Sequence, residues 1–82
     1  MMRREEFYQQ LKSSPKNVRF TKICRAAELF GFSFKGGKGS HRIYKREGII
    51  ELLNFQNVEG KVPSYQVKQL LKVIDYYDLR KE

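Results

Sequence analysis

Apolar positions recur along this chain with two different periods, and the changes of period mark out its elements. Between Arg3 and Ser13, Phe7, Tyr8 and Leu11 are spaced as on one face of a short helix. Pro15 ends that segment, because it has no amide donor and drives Ser14 out of helical geometry. A second helix is predicted after Thr21, which can cap it. There Ile23, Ala26, Ala27 and Phe30 form an i, i+3, i+4, i+7 stripe, and Gly31 stands where a left-handed residue closes a helix.

After Gly31 the period becomes two. Phe32 and Phe34 point one way, into the expected core, while Ser33 and Lys35 point the other, as in a half-buried strand. Gly36, Gly37 and Gly39 then loosen the chain. His41 to Arg46 reads as a second strand, Glu47-Gly48 as a tight turn, and Ile49 to Phe55 as a third strand. A break from Asn57 to Pro63 leads to a closing helix that Ser64 can cap. Its apolar face is Val67, Leu70, Leu71, Ile74 and Tyr77, with Lys68, Lys72 and Asp75 opposite.

These elements predict an α+β fold: a three-stranded antiparallel sheet with helices packed on one face, the other face left to solvent or a ligand. No repeat, low-complexity tract or long linker divides the chain. It reads as a single globular unit over residues 18–82, preceded by an N-terminal helical extension over residues 1–17.

Composition adds constraints. With 82 residues there is room for one domain and one core, so an active site is expected to be a surface feature rather than a deep cavity. The 17 Lys and Arg against 9 Asp and Glu leave a formal charge of +8, which points to an acidic partner. Nucleic acid fits better than membrane, since no stretch approaches the roughly 18 to 20 apolar residues of a spanning helix and the N-terminal residues lack the apolar core of a signal peptide. The single Cys24 lies in an apolar helical stripe and reads as a buried thiol in a reducing, cytoplasmic compartment. One Cys and one His cannot assemble a structural zinc site, and neither a metal nor a cofactor is implied.

The charge concentrates in one segment. Lys35, Lys38, Arg42, Lys45 and Arg46 fall in twelve residues that hold no acid. Lys on a hairpin edge also discourages aggregation, which is the plain structural explanation. The alternative is a phosphate-binding surface: around Gly39 and Ser40 the backbone can approach a ligand and present amides, while the cations contact phosphate oxygens. His41 sits among them, and an imidazole changes charge near neutral pH and can carry protons. Strand alternation puts His41, Ile43 and Lys45 on one side and Arg42, Tyr44 and Arg46 on the other, without deciding which side is open. Tyr44 and Tyr65 could stack on a base or simply pack.

From about Val18 to Leu79 the sequence resembles the HicA toxins of bacterial and archaeal toxin-antitoxin systems. The resemblance is carried by Glu28-Leu29-Phe30-Gly31-Phe32 at a helix end, Gly39-Ser40-His41 opening a strand, and Pro63-Ser64-Tyr65-Gln66-Val67-Lys68-Gln69-Leu70-Leu71 opening the last helix. It implies a fold like a double-stranded RNA-binding domain, cleavage of mRNA, neutralisation by a HicB-like antitoxin, and His41 as the catalytic histidine. The sequence departs from the family pattern in two places: many members carry a second His where this chain has Arg42, and the helix from Arg3 to Ser13 precedes the family core.

The expectation is therefore a metal-independent ribonuclease with His41 as acid-base group and Lys35, Lys38, Gly39, Ser40, Arg42, Lys45 and Arg46 holding RNA. Two alternatives remain: a non-catalytic RNA-binding module, and a basic interaction domain for an acidic protein. The sequence does not fix an oligomeric state.

Overall fold

The computed structural model describes residues 3–82. It contains α1 (Arg4–Ser13), α2 (Phe20–Leu29), β1 (Ser33–Gly36), β2 (His41–Lys45), β3 (Leu53–Gln56) and α3 (Ser64–Tyr76), with a 3-10 turn at Leu79–Lys81. The strands form one antiparallel sheet in the order β1-β2-β3, consistent with the double-stranded RNA-binding type of α+β fold. No helix among the described residues is long and apolar enough to cross a membrane.

The apolar stripes read from sequence meet in one core. Phe7, Tyr8 and Leu11 of α1, Ile23, Ala26 and Ala27 of α2, and Val67, Leu70 and Ile74 of α3 are buried together with Tyr44, Leu53 and Phe55 of the sheet. Because Tyr44 and its cross-strand partner Leu53 both face this core, alternation sends His41, Ile43 and Asn54 to the opposite, helix-free face. α2 ends as predicted: Gly31 takes a φ of 90° and donates to Glu28 O, while Phe32 N–H reaches back to Ala27 O, a Schellman closure that aims the chain into β1. Neither Thr21 nor Ser64 acts as the cap; α2 begins one residue earlier, and no side chain caps either helix.

The predicted tight turn at Glu47-Gly48 forms, with Ile49 N–H donating to Arg46 O at 3.1 Å and Gly48 at a φ of 87°, but it sits within a seven-residue loop between the second and third strands. Pairing stops at Tyr44↔Leu53, so Ile49 to Leu52 lie outside the sheet despite their apolar character. Ile49 is buried, but Ile50 and Leu52 are exposed. Side chains hold this loop instead of a ladder: Lys45 Nζ donates to Ile49 O at 3.2 Å, and Tyr77 OH donates to Glu51 at 2.7 Å.

Ion pairs tie α1 to the rest. Arg80 makes a two-pronged contact with Glu5 at 2.9 and 2.8 Å and covers the Tyr8 ring at 4.0 Å. Glu82 accepts from Arg4 at 3.2 Å and from Arg46 at 2.7 Å. Hydrogen bonding to Arg80 and to Arg46, respectively, holds both carboxyls below their ordinary value of 4.5. Groups lowered by folding stabilise the folded state fully above their unfolded pKa and lose that contribution as pH falls through the folded one. Thermal melts are therefore expected to be flat in this respect above pH 5 and to fall below pH 4.5. In Glu5→Gln/Glu82→Gln the acid-side fall should be shallower; an identical fall would remove these pairs as its cause.

Candidate nucleic-acid interface

His41 opens β2 on the free face of the sheet, at the sheet end where β1 and β3 finish. Its backbone is fixed on both sides. The His41 N–H donates to Lys38 O at 3.0 Å, and the neighbouring Ser40 O accepts from Asn57 N–H at 2.7 Å. Gly37 is needed for this turn, because at its φ of 146° a Cβ would collide with the His41 carbonyl. The imidazole is exposed and has no side-chain partner among the described residues. A shallow groove of about 790 Å³ between α1 and α3, lined by Tyr8, Lys12, Tyr65, Lys68, Lys72 and Tyr76 among others, contains no residue from 35 to 46. His41 therefore stands on an open surface.

The structure separates the cations of the segment. Lys35, at the bulge in β1, and Lys38, Gly39 and Ser40 in the turn are exposed. Arg42 is also exposed, but it lies on the helix side of β2, with its guanidinium 5.2 Å from the Phe34 ring centroid and 5.9 Å from that of Phe20. Lys45 shares the face of His41 but is bonded to Ile49 O. Arg46 turns inward, donates to Phe30 O at 2.9 Å and pairs with Glu82, so it serves the C-terminal end of α2. Lys35, Lys38 and Arg42 thus remain without an ionic partner among the described residues, while Lys45 and Arg46 are held by the fold.

Three aromatic positions differ from, or resolve, what the pattern suggested. Phe34 is 52 % exposed, although alternation placed it in the core. β1 is an edge strand, and its pairing shifts directly after Phe34, so the ring covers only the rim of Tyr44. Tyr44 is fully buried and cannot stack on a base. Its hydroxyl lies close to the Cys24 thiol without a hydrogen-bond partner, and burial pushes the phenol up to about 12. Cys24 is buried and free, its thiol pushed up chiefly by burial. Tyr65 is exposed, and its hydroxyl accepts from the buried Gln66, whose Oε1 in turn accepts the Gln56 N–H of β3.

Two cations outside the segment are linked to it through Phe20. Phe20, under Arg42, donates its N–H to Gly60 O at 2.9 Å, and Arg19 and Lys61 pair in a short antiparallel bridge beside it. Sequence reading missed them because Asn57 to Pro63 looked only like a break; the signal available was the pair of apolar residues next to these cations, Val18 and Val62, both buried. Among the described residues no three His, Cys, Asp or Glu side chains gather as metal ligands would. Comparison of the chain with protein-family models, with curated proteins and with solved structures gave no match.

Proposed function

We propose that this protein is a cytoplasmic, HicA-like RNA-cleaving toxin that binds RNA at the glycine-rich turn and cuts it with His41. The observation that carries the reading is the position of His41: an exposed imidazole on a fixed backbone, in the same turn region as Lys35 and Lys38, which have no ionic partner among the described residues, at the open end of a sheet. His41 takes the proton from a ribose 2′-hydroxyl. The 2′-oxygen then bonds to the adjacent phosphorus, the bond from phosphorus to the 5′-oxygen breaks, and solvent returns a proton to that oxygen. Lys38 and the amides around Gly39 stabilise the developing negative charge. Arg42, on the other side of β2, holds the strand rather than the reacting phosphate. A HicB-like antitoxin would neutralise such a site by covering His41, since the site has no lid of its own.

The test is cleavage of an end-labelled single-stranded RNA in a chelating buffer. Products ending in 2′,3′-cyclic phosphate and 5′-hydroxyl are expected; binding without cleavage would leave a non-catalytic RNA-binding module. Binding should also weaken with salt. Phosphate contacts from Lys35 and Lys38, at about −0.7 each on a single strand, give a log-log slope of roughly −1.4 or steeper. A flat titration removes the phosphate surface altogether.

A further inference from the structure

Phe34 is the anomaly of the core. Phe32 and Tyr44 beside it are buried, yet this ring is half in solvent, on the same side as the exposed Arg42. The ring is not loose. It stands edge-on to Tyr44 at a centroid distance of 5.9 Å, and the Arg42 guanidinium lies over it. A fixed aromatic ring beside a guanidinium that has no ionic partner among the described residues is a surface on which an unpaired base can stack. Arg42 also lies over the buried Phe20, whose N–H bonds Gly60 O, and the next residues on either strand of that short bridge are Arg19 and Lys61, both exposed. Arg19 has no ionic partner among the described residues, and Lys61 donates only to the neutral Asn17 amide at 3.3 Å. Two carboxylates stand near this surface, Glu59 in this turn and the exposed Glu28, whose charge acts on Cys24 and Tyr44 beside Arg42; Glu5, Glu51, Asp75 and Glu82 are occupied by Arg80, Tyr77, Tyr8 and Arg46 elsewhere.

We propose that Phe34 and Arg42 hold an unpaired base, and that Arg19 and Lys61 hold phosphates of the same strand, so that the RNA bound is single-stranded and passes from His41 around the end of the sheet to the start of α2. The proposal rests on the RNA-binding reading above and adds the class of RNA and four residues with separate roles. A duplex would keep its bases stacked inside and leave the Phe34 ring unused.

Fluorescence anisotropy with one labelled RNA, as a single strand and annealed to its complement, tests it. The wild type should bind the single strand more tightly. Phe34→Leu keeps apolar cover over Tyr44 but has no ring; it should bind the single strand about tenfold more weakly with an unchanged salt slope, and Phe34→Trp should restore binding. Arg19 and Lys61 join Lys35 and Lys38 as four phosphate contacts, for a slope of roughly −2.8, and Arg19→Ala/Lys61→Ala should return it to about −1.4. A Phe34→Leu protein that binds like wild type, a duplex bound as tightly as the single strand, or a slope that the double variant does not move overturns the track and leaves the turn as the RNA site. Wild-type protein that binds neither RNA overturns the track and the function together.

Discussion

His41→Ala should lower RNA cleavage by about 10²- to 10⁴-fold while leaving RNA binding and folding nearly intact. The size follows from removing a positioned acid-base group, a role for which imidazole is the commonest side chain. The selectivity follows from its surroundings. His41 is exposed and makes no side-chain hydrogen bond among the described residues, so its removal creates no cavity and orphans no buried group. Arg42→Ala should behave in the opposite way, weakening binding first, because alternation along β2 places Arg42 away from His41. Measured in one buffer, equal cleavage by wild type and His41→Ala would end the catalytic assignment. Loss of binding in His41→Ala would recast the histidine as a contact.

Tyr44→Ala should cost about 3 to 5 kcal/mol, against a total stability of roughly 4 to 12 kcal/mol for a chain of this length. The ring is fully buried in the central strand, in contact with Phe34 on β1 and Phe55 on β3, so its loss opens the space between sheet and helices. Tyr44→Phe should be neutral or slightly stabilising, since the hydroxyl it removes is buried without a partner. Chemical denaturation of the two variants decides the matter. If Tyr44→Phe unfolded as readily as Tyr44→Ala, the hydroxyl would have to be bonded in solution. If Tyr44→Phe weakened RNA binding at unchanged stability, its burial would be wrong.

The sequence showed most of the fold because each helix carries its own local signal. The stripe through Ile23, Ala26, Ala27 and Phe30, and Gly31 after it, needed no knowledge of the partner surface. The loop from Arg46 to Leu52 was not legible, because what decides it is distant. Arg46 is drawn inward by Phe30 O and Glu82, and Glu51 is held by Tyr77, so an apolar run that could have been a strand becomes a tethered loop. The candidate site was legible in its centre and misleading at its rim. His41, Lys38 and Gly39 belong to one continuous turn and stay together, whereas Lys45 and Arg46 looked like equal members of a cationic cluster until their tertiary partners appeared. The facing of His41 depended on whether Tyr44 enters the core, a packing outcome that alternation alone leaves open.

The most direct test of an RNA surface at this end of the sheet is an amide NMR titration with a single-stranded RNA made uncleavable by 2′-O-methyl groups. Shifts are expected to concentrate at residues 19–20, 34–42 and 57–61, with α1 and the C-terminal half of α3 unaffected. Shifts confined to the groove lined by Lys12, Lys68 and Tyr76, with the glycine-rich turn silent, would contradict it.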